Sequence, residues 1–200
     1  MALAAQPPGR RERNKQAKLE RITAAASELF AAYGVDEVTT QQIAEAADIG
    51  TGTLFLYART KGELLLLVQN VKYAAALDRG RAAAAGADNA LDGVLALLTP
   101  VVECNRVQVD NGRTYLREMV FGDPSEPHHA DALTIVGQTE QATAEILTRQ
   151  AALDESEALT LARVISAILF LTMASSAYAS SSVPEIVEAI HTQVAAVLPH

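Results

Sequence analysis

The segment from Gly34 to Leu64, GVDEVTTQQIAEAADIGTGTLFLYARTKGEL, places two short helical patterns on either side of a three-residue break, and it constrains the fold more than any other stretch. Thr39 and Thr40 are good helix-opening residues, because a threonine hydroxyl can accept from an otherwise orphaned amide. Ile43, Ala44 and Ala47 then recur at helical spacing, with Gln41, Gln42 and Glu45 facing elsewhere. Asp48-Ile49-Gly50 supplies a turn residue, an apolar plug and a glycine, the composition of a turn between two steeply crossing helices. Thr51 or Gly50 caps the next helix. Its first turn, Thr51-Gly52-Thr53, is small enough for the backbone to approach a polyanion, with free helix amides available to phosphate. Leu54 is expected to face inward. Tyr57 is expected to offer a hydroxyl to phosphate and a ring to a thymine methyl.

This segment resembles the N-terminal DNA-binding domain of the TetR family of bacterial transcriptional regulators. The resemblance rests on Thr39, Ile43-Ala44, Gly52-Thr53-Leu54-Phe55 and Lys61, with Gly34 and Leu64 also in register. Four places depart from the family's usual residues: Asp48 for glycine, Gly50 for serine, Phe55 for tyrosine and Ala58 for phenylalanine. Phe55 cannot donate the phosphate bond of a tyrosine, which leaves Tyr57 to take over part of that role. Ala58 requires the small domain's core to be filled from elsewhere, by Phe30 or Phe55. The resemblance implies an all-α chain, with a helix-turn-helix three-helix domain over residues 1–63 and a helical effector-binding and dimerisation domain over residues 64–200. DNA contacts are expected from Thr40, Gln41, Thr51, Gly52, Thr53, Phe55, Tyr57 and Lys61.

Upstream, Leu19, Ile22, Ala26, Leu29, Phe30 and Tyr33 keep a helical period from Asn14 onward. Between Arg10 and Arg21 six basic residues stand against two acidic ones, behind a flexible arm containing Pro7, Pro8 and Gly9. Arg10 and Arg11 on such an arm are expected to reach a phosphate or the minor groove.

The formal charge of −8 argues against DNA binding until it is divided along the chain. Residues 1–63 hold eight basic and eight acidic side chains, whereas residues 64–200 hold eight against sixteen. The acidic part is held off the phosphates, and the neutral part with its basic end is not. Cys104 is the only cysteine, which points to a reducing compartment, the cytoplasm, and to a small apolar role beside Val101 and Val102. No secretory signal is evident, and the most apolar run, Val164 to Ala179, is interrupted by hydroxyl residues and falls short of a membrane span of roughly 20 residues.

The remainder reads as helical: Lys61 to about Arg81 as a connector, Asp88 to about Val109 kinked at Pro100, Asn111 to Phe121, Ser125 to about Ala152, Asp154 to Ser180, and Pro184 to Leu198. Ile165, Ile168, Leu169 and Thr172, with Ile186, Ile190 and Val194, make the last two helices apolar on more than one face. The resemblance assigns these residues to a homodimer interface that would set two reading heads one helical turn apart. Residues 64 to about 155 are then expected to enclose an effector pocket, with Tyr73, Glu103, Tyr115, Arg117, Glu118 and His128 as candidate polar contacts and a small, mainly apolar organic molecule as the effector. His128-His129 point apart on a helix and find no third partner at metal spacing, so neither metal nor cofactor is expected. No glycine-rich phosphate loop, GxSxG or HExxH pattern gives enzyme chemistry a foothold. The chain therefore reads as a ligand-responsive regulator, most simply a repressor released from an inverted-repeat operator. A helical carrier of a small molecule, with its N-terminal helices capping the pocket, is the alternative the residues leave open.

Overall fold

The computed structural model describes residues 9–199, all-helical with no strand among them. The N-terminal domain comprises α1 (Arg10–Tyr33), α2 (Thr40–Ala46) and α3 (Thr51–Leu54). The helical domain follows with α4 (Lys61–Ala84), α5 (Ala90–Arg106), α6 (Val109–Phe121), α7 (Pro127–Gln150), α8 (Glu155–Ala174) and α9 (Val183–Val197).

The small domain closes on Ile22, Ala26, Phe30, Ile43, Ala44, Ala47 and Leu54. Ala58 is buried with them, and Phe30 supplies the bulk that an alanine there cannot. Phe55 does not fill this core, since 44% of it remains exposed. The apolar core continues without a break through Leu64, Leu65 and Leu66 into the second domain. There α4 packs on α5, α6 and α7 while still touching α1. At Gly80 the α4 backbone approaches α5 so closely that a Cβ would collide with the Leu97 carbonyl.

Several boundaries differ from those the sequence suggests, most of all the start of α1 and the end of α8. Helix α1 opens at Arg10 rather than Asn14, so Arg10 and Arg11 are exposed residues of its first turn and not part of an arm. Pro7 and Pro8 lie outside the described residues. Helix α5 runs through Pro100 as one element, and the proline leaves the Ala96 carbonyl without its usual donor. Helix α8 stops at Ala174, not Ser180. Ser175 is extended and its hydroxyl accepts from the Ala177 amide, starting a 3-10 turn over Ser176–Tyr178. Arg106 on α5 fastens this link by donating to the carbonyls of Tyr178 (3.3 Å), Ala179 (2.8 Å) and Ser181 (2.8 Å). By length and composition alone α8 is apolar enough to cross a membrane. Here it is one wall of the helical domain, packed on α6, α7 and α9.

Candidate nucleic-acid interface and effector cavity

The reading head is built by short-range capping. Thr39 Oγ1 accepts from the Gln42 amide (3.2 Å) while Gln42 Oε1 accepts from the Thr39 amide (2.8 Å), so both ends of this box are satisfied. Asp48 turns the chain at φ +52°, in the left-handed region that a glycine would enter more cheaply. Its carboxylate accepts from Arg21 at 3.3 Å, strapping the turn to α1. Gly50 then opens α3, only four residues long, and Leu54 is fully buried beneath it.

Of the sequence-expected DNA contacts, Gln41, Gly52 and Phe55 are exposed, and Thr40, Thr51 and Thr53 are half-buried around them. Tyr57 and Lys61 are already engaged within the protein. The Tyr57 hydroxyl donates to the Lys15 carbonyl at 3.4 Å, and Lys61 Nζ donates to the Asp36 carbonyl at 3.1 Å. Their expected roles on phosphate or base therefore require those bonds to be shared or exchanged. Leu56, 83% exposed, presents an apolar side chain that the motif reading passed over. With Leu54 fixed inward, two residues further is about 200° round a helix, so its outward position was available from the pattern.

Two places join the reading head to the helical domain. At the first, Asn111 in the opening turn of α6 accepts the Val35 amide (2.7 Å) and donates to the Phe30 carbonyl (2.8 Å), both fully buried. Beside it Gly34 holds φ +80° so close to Gln108 that a Cβ would lie 2.8 Å from its Nε2. At the second, the start of α7 meets the link between α3 and α4. His128 Nε2 lies 3.0 Å from the Tyr57 carbonyl, and Arg59 pairs with buried Glu126 at 3.1 Å. Helix α4 holds the same α7 terminus through Asn70, which donates to the His128 carbonyl at 2.9 Å, and through Glu63, whose carboxylate faces the His128 amide. Burial raises the Glu63 pKa, and the field of the nearby histidines offsets only part of that. Among the described residues, one Glu63 oxygen and both ring nitrogens of buried His129 find no hydrogen-bond partner.

Between these helices lies a cavity of about 510 Å³ of atom-free space, counting its mouth. Tyr73 from α4, Val101 from α5, Tyr115, Leu116 and Met119 from α6, Ile135, Val136 and Thr139 from α7, and Ser166, Leu169, Phe170 and Met173 from α8 line it. The free volume is divided among narrow gaps, so a guest must move side chains, and Met119 and Met173 are the adaptable ones. Tyr73 and Tyr115 stack with ring centroids 4.2 Å apart and planes 11° from parallel. Their hydroxyls are committed: Asn105 donates to Tyr73 at 2.8 Å, and Tyr115 donates to Asn70 Oδ1 at 2.9 Å. Burial lifts both above the usual phenol range, so both are neutral hydrogen-bonding groups.

The other candidate pocket residues separate. Arg117 lines a neighbouring surface groove, and Glu103 is exposed in a different one with Lys72, Arg79 and Cys104. Glu118 packs over Gly62 at the start of α4, and His128 belongs to the interdomain seam just described. Burial pushes the Cys104 thiol pKa up, which suits a small apolar residue better than a reactive one. Among the described residues no group of histidine, cysteine and carboxylate side chains is arranged to hold a metal. The expected dimer residues need correction. Ile165, Leu169, Thr172, Ile186, Ile190 and Val194 are buried within the protomer, and Ile168 is half-buried against the same core. Because α8 and α9 pack on each other, those residues face inward. The outward apolar positions on these helices are Val164 (43% exposed), Leu171 (63%) and Val197.

Residues 22–68 match the family model described as bacterial regulatory proteins, tetR family. No curated protein matches the chain's sequence. Among solved structures, a TetR transcriptional regulator from Rhodococcus sp. RHA1 is 21% identical, covers 92% of this chain and 97% of its own, and superposes with a TM-score of 0.67. FadR of Thermus thermophilus, a TetR-family repressor solved with lauroyl-CoA, is 24% identical over 90% of this chain and 92% of its own, with a TM-score of 0.71. FadR of Bacillus halodurans, a fatty acid degradation regulator, is 16% identical over 98% and 100%, with a TM-score of 0.62. Residues 22–68 thus match the tetR-family model, and the chain shares the fold of solved TetR transcriptional regulators.

Proposed function

We propose that this protein is a homodimeric, ligand-responsive repressor that leaves an inverted-repeat operator when a small, mainly apolar organic molecule enters the cavity. One observation carries this reading. Besides the connector α4, two helices reach from the cavity to the reading head, and α6 and α7 each supply cavity walls and each grip the N-terminal domain at their first turns. Tyr115 and Asn111 do so on α6, Ile135 and His128 on α7. A guest that displaces either wall therefore changes where the reading head sits, to the extent that it prefers one arrangement over the other. A regulator of the same fold, the Thermus FadR, holds lauroyl-CoA, which supports the cavity as a ligand site.

On the DNA side, exposed Gln41, Gly52, Phe55 and Leu56, with Thr40, Thr51 and Thr53, form the major-groove surface. Arg10 and Arg11 on the first turn of α1 contact phosphate. Self-association uses the outer face of α8 and α9, where Val164, Leu171 and Val197 leave an apolar stripe that a monomer gains nothing by exposing. Selection of the purified protein on a randomised duplex library tests the reading. Enrichment of an inverted repeat is expected. A library returned without enrichment across several salt concentrations overturns it.

A further inference from the structure

The cavity shares a wall with a surface groove, and that wall is Phe170 of α8. The two spaces have different chemistry. Inside the cavity the hydroxyls of Tyr73, Tyr115 and Thr139 each bond a protein partner, and among the described residues Ser166 is the polar lining side chain that shows none. Outside Phe170, the groove has about 770 Å³ of open space and is lined by Asp36, Asp110, Arg113, Thr114, Arg117, Phe121 and Ala174. Arg113 and Arg117 stand one helical turn apart on α6, so both guanidinium groups project to the same side. Arg113 makes no ion pair among the described residues, and the single salt bridge of Arg117 is a 3.6 Å contact with its neighbour Glu118.

From this juxtaposition we infer that the effector is an anionic amphiphile. Its flexible apolar tail enters the cavity past Phe170, and its carboxylate or phosphate head is held in the groove by Arg113 and Arg117. The planar donors of arginine suit a two-oxygen anion, and two such forks one turn apart can share one head group. Asp36 and Asp110 line the same groove and disfavour an anion beside them, but among the described residues neither forms an ion pair with Arg113 or Arg117, so they do not neutralise the arginine pair. Asp36 sits on the loop whose carbonyl already binds the Lys61 ammonium, and Asp110 precedes the arginine pair along α6. Hydroxyl or amide donors on the head have these carboxylates as acceptors. The inference rests on the cavity being the effector site and adds the class of molecule it takes.

The test titrates the full-length protein with dodecanoate, dodecanol, dodecyltrimethylammonium and octanoate, each below its micelle concentration, and follows binding calorimetrically. In parallel each compound is tested for release of the selected duplex. Dodecanoate is expected to bind at least tenfold tighter than octanoate, dodecanol or the cation, and to lower duplex affinity. Replacing both arginines (R113A/R117A) should cost dodecanoate about tenfold and leave dodecanol unchanged. Ser166→Phe, which fills the cavity without touching the groove, should weaken dodecanoate while R113A/R117A keeps its fold by circular dichroism. Equal binding of the neutral or cationic analogue, no effect of the arginine pair, no binding of dodecanoate, or binding without loss of duplex affinity overturns the inference. Failure of duplex binding while dodecanoate still binds tightly through the arginines is a different result, which removes the repressor reading and leaves the ligand class.

Discussion

Asn111 and Tyr115 stand one turn apart on the same face of α6 and hold different parts of the molecule. Asn111 bonds the Val35 amide at 2.7 Å and the Phe30 carbonyl at 2.8 Å in the reading head, whereas Tyr115 lines the cavity and bonds Asn70 at 2.9 Å. Replacing Asn111 by Ala leaves the buried Val35 amide unpaired and the Phe30 carbonyl with only its bond from the Gly34 amide, and is expected to cost about 1–3 kcal/mol. Chemical denaturation measures it, and amide exchange at residues 34–38 should rise ahead of exchange in α8. Unchanged exchange at 34–38 would show that Asn111 does not hold the head.

Tyr115→Phe keeps the ring stacked on Tyr73 and removes the hydroxyl that Asn70 accepts. The loss in stability should be small, about 1 kcal/mol, because a buried acceptor loses one partner and the packing is kept. Asn70 would then hold the α7 terminus with only its donor bond to His128. Under the proposed mechanism the variant binds the operator but is released by effector less completely, which a fluorescence anisotropy titration reads directly.

Glu63 makes stability depend on pH in a direction opposite to most carboxylates. Its folded pKa lies above the ordinary value of 4.5 because burial penalises the charged form. The stabilising contribution is therefore fully present below about pH 4.5 and lost as the pH rises through the raised folded value. Glu63→Gln should raise the melting midpoint at pH 7.5 by about 2 °C and leave it unchanged near pH 4. A midpoint gain of equal size at both pH values would rule out this account.

Gly80→Ala introduces a methyl group against the Leu97 carbonyl, at a point where α4 and α5 pack backbone to backbone. Neither helix can yield locally, so the expected cost is about 2–3 kcal/mol despite alanine's better helix propensity. Thermal unfolding of the purified variant measures this, and a stabilised protein would contradict the contact.

Leu171→Glu with Val164→Glu places charge on the outward stripe of α8 without touching the protomer core. Light scattering should report monomers, circular dichroism an intact fold, and affinity for an inverted repeat should fall by at least tenfold, because each half-site then binds separately. An unchanged dimer would move the interface elsewhere.

The sequence made the reading head legible because its signals are local. Thr39 and Gln42 form their capping box within four residues, Asp48 occupies the left-handed turn where glycine is usual, and Leu54 faces inward. Helix order and type were readable from periodicity for the same reason. The end of α8 was not, since the carbonyls of Tyr178, Ala179 and Ser181 that follow it are gathered by Arg106, about seventy positions away. Neither was the division of apolar residues on α8 and α9 between core and surface. Two apolar faces on one helix do not say which of them the chain itself will cover, and Ile165 and Ile190, which the resemblance gives to a dimer interface, pack inside the protomer. Tyr57 and Lys61 have side-chain types suited to phosphate, but the backbone carbonyls of Lys15 and Asp36 come within reach only in the folded domain.

Besides its packing on α4, the reading head is held at two points, Asn111 at the end of α1 and the His128–Glu126 terminus beside Tyr57 and Arg59. A body suspended at two points does not slide when one support shifts; it swings about the other. Under the proposed function, a molecule that pushes on α6 alone is expected to turn the head about an axis through the start of α7. One that wedges α6 and α7 apart shears it. Under the same reading the two movements would tilt α3 differently against DNA, so ligands of unlike shape in one cavity need not produce the same response.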